Sequence, residues 1–125
     1  AAFVQQVNQG GAYSEAIQKV TSYVNSHYRE KLTLASVAAT VSFSAEYLSR
    51  IFVKETGMNF VTYLNNVRLQ HAVSMLEHTD KRIYEIAESV GYTSVSYFST
   101  VFKKNFGITP NEYQARILEN REKSC

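Results

Sequence analysis

Two stretches of this chain repeat one another, and that repeat limits the fold more than any other feature. Leu34-Ala35-Ser36-Val37-Ala38-Ala39-Thr40-Val41 lines up with Ile83-Tyr84-Glu85-Ile86-Ala87-Glu88-Ser89-Val90. The correspondence then continues, with a one-residue slip in the turn. Phe43 answers Tyr92, Ser44 answers Ser94, Leu48 answers Phe98, Phe52 answers Phe102 and Gly57 answers Gly107. Past the glycines, Phe60 and Tyr63 match Pro110 and Tyr113. In the second copy Ile83, Ile86, Ala87 and Val90 recur at helical spacing and form one apolar stripe. Gly91 ends that helix, since glycine enters the left-handed conformation at a C-terminal cap without steric cost. Ser94 caps a next helix whose apolar set is Phe98, Val101 and Phe102. Gly107 closes it, and Thr109-Pro110-Asn111-Glu112 opens another, with Thr as N-cap, Pro at the first helical position and Glu completing a capping box. Helix, tight turn and second helix make a helix-turn-helix pattern, here present twice.

The rest of the chain supports an all-α fold. Its 125 residues make one domain, or two very small subdomains sharing a helix. With 45% hydrophobic and 19% charged residues, a packed core is expected and wholesale disorder is not. There is one proline, and no stretch alternates like a strand. Net charge is only +2, so any affinity for nucleic acid depends on where the charges sit. The single cysteine, Cys125, excludes a disulfide framework and a cysteine metal site, and fits a reducing cytoplasm. No run of about 18 apolar residues argues for a membrane span, and AAFVQQVNQGG lacks the pattern of a signal peptide.

In chain order, residues 1–13 read as a linker, as if the chain were the tail of something longer. Ser14 caps a helix to about Tyr28 with Ile17, Val20, Val24 and Tyr28 on one face. Residues 34–56 hold the first helix-turn-helix, with Thr33 capping its first helix and Ser44 its second. Asn59 starts the longest helix, 60–77, whose apolar residues Tyr63, Leu64, Val67, Ala72, Val73 and Leu76 spread over more than one face. Such a helix touches two subdomains and spaces them by roughly 27 Å, short of one DNA turn at about 34 Å. The second helix-turn-helix occupies 82–106. A helix from Pro110 to about Leu118 follows, and 119–125 form a charged, frayed tail.

Setting each core stripe inward fixes the outward arcs at 100° per residue. The first arc is Glu46, Ser49, Arg50 and Val53, flanked by Tyr47 and Lys54. The second is Ser96, Ser99, Thr100 and Lys103, flanked by Tyr97 and Lys104. Arg50 can fork onto guanine, Glu46 can accept from cytosine, and Ser49 suits several bases. Ser and Thr hydroxyls with two lysines favour phosphate contacts or packing on thymine methyls, with weaker base discrimination. Lys31, Thr33, Lys81 and Arg82, at the starts of the two first helices, can hold phosphates or simply cap and solubilise. A charged outward arc is by itself more often a solvated face than a reading surface; the tandem motif is what favours reading.

These residues resemble the DNA-binding domain of the AraC/XylS family of bacterial transcription regulators. Arg68-Leu69, Ala72, Ile83, Ile86-Ala87, Val90-Gly91-Tyr92, Tyr97-Phe98, Phe102-Lys103, Phe106-Gly107-Ile108-Thr109-Pro110 and Tyr113 follow its second-motif signature. Tyr47-Leu48-Ser49-Arg50, Phe52 and Lys54-Glu55-Thr56-Gly57 follow the first. The resemblance covers about residues 14–117. It implies seven helices in two helix-turn-helix subdomains joined by the long helix, with both recognition helices in successive major-groove segments of an asymmetric site. The implied partners are double-stranded DNA, RNA polymerase, and an effector, receiver or dimerisation domain in a longer parent chain. Two departures stand out: Gln114, where the family often has Arg, and Val95-Ser96, where more polar readers can occur.

Rival classes are weak. His27, His71 and His78 are dispersed, with no H-E-x-x-H, nucleophile elbow or Gly-rich phosphate loop, so no enzyme, cofactor or metal is expected. A helical protein-interaction module would suit a repeat near 50 residues, but solenoids stack three or more repeats and only two occur here.

Overall fold

The computed structural model describes residues 13–124, so the linker expected over 1–12 and Cys125 at the chain end lie outside the described residues. Seven helices and no strand occur among the described residues: α1 Glu15–His27, α2 Leu34–Val41, α3 Ala45–Thr56, α4 Phe60–His78, α5 Ile83–Ser89, α6 Val95–Phe106 and α7 Pro110–Ser124. The chain divides into two compact units within α4, between Val67 and Arg68.

In the first unit Ser14 caps α1, its Oγ accepting the Ile17 N–H, while its own N–H donates to Glu55 Oε1 at 2.8 Å. That bond ties the start of α1 to the last turn of α3. Ile17, Val20 and Val24 of α1, Val37 and Ala38 of α2, and Leu48 and Phe52 of α3 form the core with Phe60, Tyr63, Leu64 and Val67 of α4. Phe52 meets Phe60 and Tyr63 edge-on, with ring centroids 6.1 and 5.4 Å apart. Truncating so buried a phenylalanine to alanine costs about 3–5 kcal/mol. Gly57, at φ +80°, turns the chain out of α3. The buried Thr56 hydroxyl closes that turn, lying 2.7 Å from the Phe52 carbonyl and accepting the Met58 N–H at 3.2 Å.

Tyr13 departs from the linker expected over 1–13. It is buried, and the Gln18 side-chain amide donates to its carbonyl at 2.7 Å. Tyr13 therefore packs with the first unit, although the polar, glycine-containing composition before Ser14 reads as linker.

In the second unit Leu69, Ala72 and Leu76 of α4 join Ile83, Ile86 and Ala87 of α5, Val90, Tyr92, and Phe98, Val101 and Phe102 of α6. Aromatic rings run through this core: Tyr92 on Phe98 (5.2 Å), Phe98 on Phe102 (5.8 Å) and Phe102 on Tyr113 (5.8 Å). Arg68 is buried, with 8% of its surface exposed, and its guanidinium lies 5.3 Å above the Tyr92 ring. Burial lowers the Arg68 pKa and raises that of Tyr92. A guanidinium tolerates such a place because it is weakly hydrated and stacks on aromatic faces.

The chain end also differs from expectation. Rather than stopping near Leu118 and fraying, α7 runs on to Ser124. Side-chain bonds to the end of α4 and the α4–α5 loop hold it. Arg121 donates to the Glu77 carbonyl and pairs with Asp80 at 3.7 Å, and the Tyr113 hydroxyl donates to the Glu77 carboxylate at 2.9 Å. Gln114, one of the two departures from the resemblance, donates to the Lys81 carbonyl at 3.1 Å.

Candidate nucleic-acid interface

The two helix-turn-helix motifs are built by the same bonds. In the first, Ser42 ends α2 and the Phe43 N–H returns to the Ala38 carbonyl at 3.2 Å. In the second, Tyr92 N–H returns to the Ala87 carbonyl at 2.9 Å. Ser44 Oγ then accepts the Tyr47 N–H, and Ser94 Oγ the Tyr97 N–H, each at 3.1 Å. Each recognition helix thus starts on a serine cap and ends on a left-handed glycine, Gly57 or Gly107. The caps fix where each helix begins, and the buried stripes fix its rotation. Leu48 and Phe52 hold α3; Phe98, Val101 and Phe102 hold α6.

What those stripes leave outward agrees closely with the expected arcs. On α3, Glu46, Tyr47, Ser49, Arg50, Val53 and Lys54 are all exposed. Glu46 and Arg50 stand one helical turn apart, and among the described residues neither takes part in an ion pair. On α6, Ser96, Tyr97, Thr100, Lys103 and Lys104 are exposed, but Ser99 is only half-exposed. Ser99 sits beside the Phe98 and Phe102 stripe, which draws it partly inward.

At the helix starts, Lys31, Thr33, Lys81 and Arg82 are exposed. The Thr33 hydroxyl is engaged as a cap, accepting the Ser36 N–H at 3.0 Å, so capping accounts for that residue. The Arg82 backbone N–H is taken by the Glu85 carboxylate at 2.8 Å, which caps the start of α5.

The expected arc on α6 left out one residue that is exposed. Val95, the first residue of α6, is 42% exposed, in company with Tyr97 at 48%. On α3 the exposed apolar residues are Tyr47 (40%) and Val53 (48%). In the sequence Val95 directly follows a serine cap and precedes Phe98 by three residues and Phe102 by seven, at the edge of their stripe. Exposed apolar groups interleaved with Arg and Lys mark a contact surface better than charge alone does.

No group of three or more His, Cys, Asp or Glu that could hold a metal occurs among the described residues. His27 is engaged locally, stacked on Tyr23 at 4.0 Å with Nδ1 3.0 Å from the Tyr23 carbonyl. Nor is any helix among these residues long and apolar enough to cross a membrane.

Two capped, stripe-packed helix pairs, each presenting an outward recognition helix, define a tandem helix-turn-helix domain of the kind that binds DNA. Comparison with known proteins agrees. Residues 37–116 match the family described as helix-turn-helix domain. Over 108 residues the chain is 33% identical to the regulatory protein PocR of Salmonella typhimurium, covering 86% of this chain and 36% of PocR. It superposes with a TM-score of 0.82 on the C-terminal domain of AraT, a response regulator from Geobacillus stearothermophilus, at 38% identity over 85% of this chain and 88% of that one. The DNA-binding domain of AdpA, a global transcriptional factor solved with a target DNA, gives 0.81 at 25% identity, covering 87% and 98%. The chain belongs to the AraC-type helix-turn-helix family, whose members are DNA-binding domains of transcription regulators. It spans little more than a third of the PocR regulator's length.

Proposed function

We propose that this chain is the DNA-reading output domain of a longer bacterial transcription regulator acting in the cytoplasm. It places α3 and α6 in successive major-groove segments of one asymmetric site. The observation that carries this reading is the pair of outward arcs, equivalent in the two motifs yet each set by its own core. Arg50, Glu46, Ser49 and Val53 read bases in the first segment; Ser96, Ser99 and Thr100 serve the second. Tyr47, Lys54, Tyr97, Lys103 and Lys104, together with Lys31, Lys81 and Arg82, flank these and hold phosphates. The function is non-enzymatic, and a sensing or dimerising domain and RNA polymerase complete the partners.

Selection from a random DNA pool, followed by gel-shift titration against salt, tests the proposal. Enrichment of one asymmetric sequence, bound more weakly as salt rises, is the expected result. Replacing Lys103 or Lys104 by Gln should lower the slope of log K against log salt by about one unit and leave sequence preference intact. Absence of any DNA band at low salt would favour a protein-interaction module instead.

A further inference from the structure

We infer that α6 reads thymine methyl groups, with Val95 as a contacting side chain, so that one half of the target site carries one or two required thymines. This rests on the DNA-reading function proposed above and names the base class that the second helix selects.

Three observations converge. First, the outward surface over the opening turns of α6 is Val95, Ser96, Tyr97 and Thr100. It holds no guanidinium, carboxamide or carboxylate, the groups that fork onto guanine or adenine or accept from cytosine. The carboxamide of α6 belongs to Asn105, in the last turn, where it donates to the Val101 carbonyl at 2.9 Å. Base edges are met by the N-terminal residues of a recognition helix, not by its last turn.

Second, Val95 is the first residue of α6 and 42% exposed: it stands at helical spacing from Phe98 and Phe102, but the core covers only part of it, so burial explains it only in part. Helix propensity does not explain it, because a β-branched side chain loses χ1 freedom in a helix. An exposed valine at the base-facing end of such a helix gains its contact only when something apolar docks there. In the major groove the one apolar group on any base pair is the thymine methyl.

Third, the Thr100 hydroxyl donates to the Ser96 carbonyl at 3.0 Å. That commits its proton within the helix and leaves its methyl available for an apolar contact. α3 differs in kind: Glu46 and Arg50 bring charged hydrogen-bonding groups to the same stage of the helix.

The test uses the full chain and a site selected from a random pool, with each thymine replaced in turn by deoxyuridine. That change removes the methyl and leaves every hydrogen-bonding group of the base in place. Affinity should fall about three- to tenfold at one or two positions, all in one half of the site. Val95→Ala, checked for retained helicity by circular dichroism, should reduce the penalty at one of them. A selected site with no sensitive thymine would overturn the inference while leaving DNA reading intact. A penalty undiminished at every position in Val95→Ala would remove Val95 as the reader. Failure to enrich any sequence would instead count against DNA reading itself.

Discussion

Ser42 and Gly91 occupy the same place in the two helix-turn-helix motifs, and both adopt positive φ, at +65° and +107°. The turn geometry is therefore set by the motif, and the two copies meet it differently. Glycine meets it freely, whereas serine is held there at a cost of about 1–2 kcal/mol. The Phe43-to-Ala38 and Tyr92-to-Ala87 hydrogen bonds show that both turns close in the same way.

A stability asymmetry follows. Ser42→Gly relieves the strained backbone but adds unfolded-state entropy, so it should be neutral or stabilising by up to about 1 kcal/mol. Gly91→Ala imposes strain and should destabilise by about 1–2 kcal/mol. Urea unfolding of both variants checks the pair. Equal destabilisation by the two would show that Ser42 has a role beyond its backbone conformation.

Arg50 stands at the centre of the first outward arc, exposed and outside any ion pair among the described residues. Arg50→Ala should cost about 1–3 kcal/mol on the preferred site and relax preference at one or two base pairs. Binding to a panel of single-base variants measures this. A uniform loss across all sequences would make Arg50 a phosphate clamp.

Most of the fold was legible because caps and stripes are local signals. Ser14, Thr33, Ser44, Ser94 and Thr109 each announce a helix within three residues, and each one caps. What escaped depends on distant partners. Tyr13 looks like linker until Glu55, remote in sequence, takes the N–H of the next residue. The extension of α7 has no apolar stripe; Arg121 anchors it to Glu77 and Asp80. On the candidate interface the rotation of α3 was readable from Leu48 and Phe52. The exposure of Val95 was not, since a valine beside an aromatic stripe is ordinarily counted as core.

Glu112 gives a pH prediction. Its carboxylate accepts the Thr109 N–H at 2.8 Å and its own N–H donates to Thr109 Oγ1 at 3.1 Å, a reciprocal cap on α7. The backbone bond from Thr109 lowers the Glu112 pKa below its ordinary 4.5, and the side-chain bond with Thr109 and the nearby Lys103 and Arg116 act in the same direction. A depressed carboxylate stabilises the fold above its unfolded-state pKa, and that stabilisation is lost as pH falls through the lowered folded value. Glu112→Gln keeps a capping-box side chain without the charge. The variant should unfold more easily than the parent at neutral pH, with the difference shrinking on acidification below about pH 4. Thermal unfolding across that range decides it. A gap independent of pH would assign the stabilisation to packing.

The last prediction concerns α4, which runs unbroken from Phe60 to His78 through the boundary between the two units. If α4 sets the spacing and rotation of two reading heads, it acts as a rigid rod roughly 28 Å long. Inserting one alanine after Val67, at the boundary between the units, would add only about 1.5 Å but turn everything downstream by about 100°. Each unit keeps its own caps and aromatic contacts, so helicity by circular dichroism should survive. The second recognition helix would then leave the groove that the first one follows, and specific binding to the selected site should be lost. Inserting a second, third and fourth alanine brings the rotation back to within about 40° of the start while lengthening the rod by about 6 Å. A rod that acts through rotation should therefore recover part of the lost affinity at four residues, with its weakest binding near two. A flexible connection predicts no such periodicity, because each added residue hardly changes its reach. Near-parental affinity in the well-folded one-residue insertion would sink the rigid-spacer reading and leave two heads that find the DNA independently.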